Sequence, residues 1–196
     1  MTGTVGRHKE FDPDVAVMQA MEVFWRQGYA RTTPQDLVDA LGIGKGSLYN
    51  AFGSKQALFE LALRQYRDSQ VQTLIDLLDE AGPVKERLRA ALWFLVETDF
   101  ADPARPGCFA VNSAAEVAGS NEAAAELVRR MFEQTEDAFR ALVEQGQRTG
   151  EIALEVDALS VASLLVNTVI GLRLQSRIAE GPERHERVIR ALVATL

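Results

Sequence analysis

The 196-residue chain has little of what covalent or metal chemistry requires: one cysteine, two histidines and six prolines. A lone cysteine excludes an internal disulfide. The opening run MTGTVGRHKEFD holds no apolar leader segment, so a reducing cytoplasmic location is expected. His8 and His185 stand among charged residues and are expected at the surface. With one cysteine they make no metal-ligand cluster. No Gly-rich phosphate loop and no Ser-His-Asp set is present, so neither an enzyme nor a bound cofactor is expected. The longest nearly apolar stretch, 158–172, contains Ser160, Ser163, Asn167 and Thr168 and is short for a bilayer, so no membrane partner is expected. The prolines, at 13, 34, 83, 103, 106 and 182, fall at helix starts or in loops, and hairpin signals are missing. These absences point to an all-α chain without repeats.

The hydrophobic fraction of 47% is that of an ordinary globular protein. A net charge of −7 disfavours a nucleic-acid partner only if it is evenly spread. It is not: residues 1–67 hold 8 Lys/Arg against 7 Asp/Glu, and the remainder holds 13 against 21. The acidic part repels a polyanion and leaves any such contact to a small N-terminal surface, unless the asymmetry is chance variation.

The stretch from Tyr29 to Glu60 organises the chain. Thr33 sits where an N-cap belongs, Pro34 follows at the first helical position, and Asp36 lies close to a capping box. Leu37, Val38 and Leu41 give that helix one apolar face, and Gly42 is a left-handed stop. Ile43 and Gly44 form the turn, and a second helix runs from Lys45 to about Phe52. Helix, Gly-containing turn and short helix make a helix-turn-helix. The second helix is too short to stand alone, so Leu48 and Phe52 must anchor it. Gly46 and Asn50 then project outward, flanked by Lys45 and Tyr49, with Ser47 at the edge. These groups suit phosphates and base edges of a major groove, and Gly46 lets the backbone approach the duplex. Lys55, in the first turn of the next helix, adds a cation where free amides favour phosphate. The plainer alternative is an αα-hairpin with a solvated polar face.

The segment resembles the DNA-binding domain of the TetR/AcrR family of transcriptional regulators. The likeness lies in Phe24-Trp25, Gly28-Tyr29, Thr32-Thr33, Leu41-Gly42-Ile43, the run Lys45 to Phe52, Ser54-Lys55 and Leu58. It covers about a quarter of the chain. It implies an N-terminal three-helix helix-turn-helix domain, 1–54, and a helical effector-binding and dimerisation domain, 55–196. It also makes Thr33, Lys45, Ser47, Tyr49, Asn50 and Lys55 DNA-contacting positions. Gly44 stands where the family often has a capping Ser or Thr, and Asn50 where His is frequent. The second departure bears on the operator sequence rather than on DNA binding. Operator DNA, an unidentified small-molecule effector and a second copy of the chain are the implied partners. The implied activity is that of a ligand-responsive repressor on a palindromic operator.

Elsewhere the pattern predicts a first helix from Pro13 to Gln27 with Val17, Met18, Met21, Phe24 and Trp25 inward. A long helix follows over 55–81, with Leu58, Leu61, Ala62, Tyr66, Leu74 and Leu78 apolar. Further helices are predicted over 84–100, 107–118, 121–148, 157–179 and 183–196. Residues 1–10 read as a flexible charged arm; a disordered tail is the commoner use of such a segment, and contact of Arg7 and Lys9 with the DNA backbone or minor groove is the alternative. The last two helices are the dimerisation pair by resemblance. They offer Val161, Leu164, Leu165, Thr168, Leu172, Val188, Leu192 and Val193.

For the effector, Trp93, Phe94 and Glu97 on one helix, and Cys108, Asn112 and Glu116 at four-residue spacing on the next, are the candidate pocket residues. Arg173 pairing with Glu116 or Glu97 is the structural alternative. Cys108 follows Arg105 and opens a helix, which suits a reactive thiol; a small buried hydrophobe is the commoner use of such a cysteine. Two other classes remain open from sequence: a helical protein adaptor and a small enzyme. The latter lacks a nucleophile–base pair.

Overall fold

The computed structural model describes residues 11–104 and 106–196. The expected arm with Arg7, His8 and Lys9, and the cation Arg105, lie outside the described residues. The regular structure among the described residues is helical: α1 Pro13–Gln27, α2 Pro34–Leu41, α3 Lys45–Phe52, α4 Lys55–Leu78, α5 Val84–Ala101, α6 Phe109–Val117, α7 Glu122–Thr149, α8 Ala158–Ser176 and α9 Glu183–Ala194.

Local chemistry explains the starts. Asp12 caps α1 by accepting from the Asp14 amide at 2.9 Å. Thr33 and Asp36 cap α2 reciprocally: Thr33 Oγ1 accepts the Asp36 amide at 3.2 Å, and Asp36 Oδ2 accepts the Thr33 amide at 2.7 Å. Ser54 caps α4 by accepting the Ala57 amide at 3.0 Å. No side chain caps α3, which follows Gly44. Leu48 and Phe52 bury it, and the Phe52 ring lies 6.1 Å from that of Phe11.

Of the residues that the pattern places inward on α1, Phe24 is buried, Val17, Met21 and Trp25 pack half-buried on the same cluster, and Met18 is 44% exposed; Ala16 and Ala20 complete the buried row. Alanines at a spacing of four let α1 lie close against its neighbours α2 and α4. Leu61, one of the apolar residues of the long helix, is exposed.

Among the described residues, two apolar clusters form the core. The first joins α1, α2, α3 and the N-terminal part of α4 with α6 and the start of α7. It therefore crosses the boundary expected at residue 54. Aromatic edges knit it: Phe24 on Phe59 at 5.2 Å, Trp25 on Tyr66 at 5.2 Å and Tyr66 on Phe109 at 5.6 Å. The second cluster collects the end of α4 with α5, α7, α8 and α9.

The final helices depart from expectation in three ways. His185 is fully buried rather than exposed: its Nε2 lies 3.0 Å from the Leu172 carbonyl and 3.2 Å from Ser176 Oγ, and its ring meets Phe100 edge-on at 5.3 Å. The ring thereby ties the start of α9 to the end of α8. Of the residues expected between subunits, Leu165, Leu172, Leu192 and Val193 belong to the chain's own core. Leu164 and Val188 remain exposed, with Val161 and Thr168 half-buried. Finally, α8 passes the length and composition test that the apolar run 158–172 was expected to fail. Its 19 residues and mean hydropathy of 1.4 are enough for a membrane span by length and composition. It packs instead on α5 and α7 and carries a buried arginine, so we read it as a bundle helix with one open face.

Candidate functional site

The outward face of α3 follows from its anchors. With Leu48 and Phe52 inward, Lys45, Gly46, Tyr49 and Asn50 are exposed and Ser47 is half-buried. A Cβ built on Gly46 meets nothing within 4 Å, so this face is open surface and the backbone itself is accessible. Uncapped amides at the start of α3 lie at the same end as Lys45.

Thr33 and Lys55, the other two expected contact residues, are engaged by neighbours within the chain. The Thr33 hydroxyl donates to Asp36 Oδ2 at 2.7 Å. That hydroxyl and the Thr33 amide hold the Asp36 carboxyl below the usual range. Lys55 Nζ donates to the carbonyls of Tyr29 and Thr32, each at 2.9 Å, and sits 4.2 Å from the centre of the Tyr29 ring. Two of its three donors thus tie the α1–α2 turn to the start of α4, leaving one for a phosphate.

A second constellation lies in the body. Arg173 on α8 forms a buried ion pair with Asp99 on α5, Nη2 to Oδ1 at 2.7 Å, with side-chain exposures of 4% and 2%. Its Nη1 donates to Tyr66 Oη at 3.2 Å and to Gln70 Oε1 at 3.4 Å. Tyr66 in turn donates to Cys108 Sγ at 3.6 Å. Burial pushes the Tyr66 phenol far up from its ordinary pKa, which keeps it neutral. This cluster closes one side of a cavity of ≈ 40 Å³, otherwise walled largely by Leu74, Leu95, Val111, Met131 and Ile170. A larger depression of ≈ 510 Å³ between α4 and α7 is an open surface groove of mixed charge.

The six candidate pocket residues do not converge. Cys108, 5% exposed, lines the inner cavity. Trp93 lies in a surface groove between α5 and α9 beside Arg89 and Arg190, and Phe94 and Glu97 are exposed. Asn112 donates to the Pro106 carbonyl at 2.7 Å and accepts from Arg177 at 3.0 Å. Glu116 turns away from the body and accepts from the Tyr29 amide at 2.9 Å and the Ala30 amide at 2.6 Å.

The Arg173 pairing is also a correction: its partner is Asp99, not Glu116 or Glu97. Sequence reading passed over Asp99. The available signal was an acid on the apolar stripe Leu88, Leu92 and Val96, three or four residues apart.

A capped helix, a Gly-stopped turn and a short second helix with an exposed polar face define a helix-turn-helix DNA-binding protein. Residues 17–62 match the family model for bacterial regulatory proteins of the tetR family, and residues 84–192 match that for the tetracyclin repressor-like C-terminal domain. The chain is 33% identical over 186 residues to the HTH-type transcriptional regulator YezE of Bacillus subtilis, covering 92% of this chain and 93% of that protein. It is 29% identical to the HTH-type transcriptional repressor ComR of Escherichia coli, covering 88% of this chain and 82% of that one. Its fold matches the TetR family regulator CifR, solved as a cysteine mutant with a 26bp double-strand operator DNA. The TM-score is 0.86 at 29% identity, covering 96% of this chain and 98% of that one. The chain belongs to the TetR family. It is a DNA-binding transcriptional regulator, not an enzyme.

Proposed function

We propose that the chain is a ligand-responsive repressor that binds a palindromic operator as a homodimer, with α3 in the major groove. The exposed face of α3 carries this reading. Lys45 and Tyr49 reach phosphates, Asn50 and Ser47 reach base edges, and Gly46 admits close approach of the backbone. Thr33 and Lys55 hold the turn beside it and supply the flanking phosphate contacts. The functional division is a head over 1–54 and an effector and dimerisation body over 55–196. DNA as the partner makes the cytoplasm the place of action.

Dimerisation runs through 157–179 and 183–196. On α8 the open stripe is Val161, Leu164, Thr168 and Gly171, and on α9 it includes Val188 and Ala191. A two-fold axis through this pair sets two copies of α3 about one helical turn of DNA apart. The effector enters the cavity beside Cys108, Gln70 and Arg173. At ≈ 40 Å³ that space takes about three waters, whereas a drug-sized ligand needs a few hundred Å³. Occupancy by such a ligand therefore parts the helices around the cavity, and that movement is the signal passed to the head.

Selection of bound duplexes from a random pool tests the reading. A palindromic motif that disappears when Lys45 and Tyr49 are both replaced by Ala is expected. An absence of enrichment at low salt would instead favour an adaptor in which the helix-turn-helix packs only against protein.

A further inference from the structure

The polar series Cys108, Asn112 and Glu116 repeats every four residues along α6 and touches a different body at each step. At the first step, Cys108 lines the cavity, and the adjoining Gly107 carbonyl accepts from Trp25 Nε1 of α1 at 2.8 Å. At the second, Asn112 accepts from Arg177, just beyond the end of α8. At the third, Glu116 holds the consecutive amides of Tyr29 and Ala30 in the turn between α1 and α2. The same turn is held from the other side by Lys55 through its carbonyls. The turn that orients α2 and α3 is thus gripped by the first residue of α4 and by the end of α6. Gly28 makes room for the grip: its φ of 84° is left-handed, and an added Cβ would lie 3.0 Å from Glu116 Oε2.

We propose that Glu116 is a positioning residue for operator binding, through which α6 fixes the head in its DNA-competent orientation. Two amides after the end of α1 have no helical acceptor, and one carboxylate spans both with charge-assisted hydrogen bonds. The clasp is solvent-exposed, so it opens without the cost of baring a buried charge. Such a contact suits a two-state coupling: it is made in one head orientation and replaced by water in the other. Because α6 starts at the cavity and ends at the clasp, displacement of its first turn by a ligand bears directly on the turn beyond its end. The inference rests on the reading of α3 as the DNA-binding helix.

The test uses full-length wild type, Glu116→Gln, Glu116→Ala and Lys45→Ala on a duplex obtained by selection. Affinity is measured against salt concentration, well below each variant's thermal midpoint, together with amide exchange at Tyr29 and Ala30. Both Glu116 variants are expected to speed exchange at those amides. Glu116→Ala is expected to weaken operator binding roughly tenfold with an unchanged salt slope, while Lys45→Ala lowers that slope by about one. Glu116→Gln, which keeps one acceptor, falls between. General electrostatics predicts the opposite sign, because removing an acid should strengthen binding to a polyanion. Faster exchange with unaltered or tighter operator binding would overturn the proposal and leave the clasp as a structural tie. Failure of the wild type to bind any selected duplex would instead remove the reading beneath it.

Discussion

The faces of α3 and α6 invite comparison, because both are short helices carrying polar side chains among apolar ones. On α3 the anchors are Leu48 and Phe52, and the polar residues Lys45, Tyr49 and Asn50 point outward. On α6 each member of the polar series is held by another element: Cys108 by Tyr66, Asn112 by Arg177, Glu116 by the backbone of residues 29–30. Two short helices of mixed polarity therefore yield an open polar surface in one case and a strip of internal ties in the other. What separates them is whether the chain itself satisfies the polar groups. A buried or shared polar atom needs a partner within the fold, while an exposed one is free to find it on a ligand.

That division predicts opposite costs. Breaking the most buried tie has the largest effect: Asp99→Ala strands the Arg173 guanidinium and should lower the unfolding free energy by about 3–5 kcal/mol in a urea titration. Replacing both partners, Asp99→Leu with Arg173→Met, should recover much of that loss. A double variant as unstable as the single one would mean that the cluster acts through Tyr66 and Gln70 rather than through charge. Next comes the open face of α8. Leu164→Arg should weaken self-association by roughly thirtyfold in sedimentation measurements while leaving monomer folding intact. Removing the Trp25 indole donor, by Trp25→Phe, leaves the Gly107 carbonyl without that partner and should cost about 1 kcal/mol in thermal unfolding.

The smallest effect concerns the cap of α2. The Asp36 carboxyl is held below its usual range by the Thr33 amide and hydroxyl, so its folded pKa lies under the unfolded one. Its contribution is present above the unfolded value, near pH 4, and is lost as pH falls through the folded value. The protection factors of the α2 amides, after correction for intrinsic exchange, should fall across that acid range, and Asp36→Asn should flatten the change.

Much of the fold was legible because it rests on local chemistry. Asp12-Pro13, Thr33-Pro34 and Gly42 mark ends that any chain would respect, and α1 to α3 begin and end where those signals stand. The face of α3 was legible for the same reason: eight residues with one aliphatic and one aromatic anchor admit only one orientation. The rest depended on tertiary partners that spacing does not name. Alanines at 16 and 20 are buried because neighbouring helices come close, not because they are strongly apolar. His185 is surrounded in sequence by charges, yet the α8–α9 turn folds it inward against Phe100. The four-residue rhythm of Cys108, Asn112 and Glu116 was visible, but its meaning was not, since it is fixed by residues roughly 40 to 90 positions away. Asp99 and Arg173 were harder still: each reads as a blemish on an apolar stripe until the other is placed beside it.

The central claim is that the α3 face is free for DNA and is not a tie within the fold. Its most direct test is one pair of measurements on the variant with Lys45 and Tyr49 both changed to Ala. Thermal unfolding should stay within about 0.5 kcal/mol of the wild type, as for surface positions. Affinity for the selected duplex should fall by at least tenfold, with a shallower salt dependence. A variant that binds that duplex as tightly as the wild type would contradict the account, as would one that loses binding only because it no longer folds.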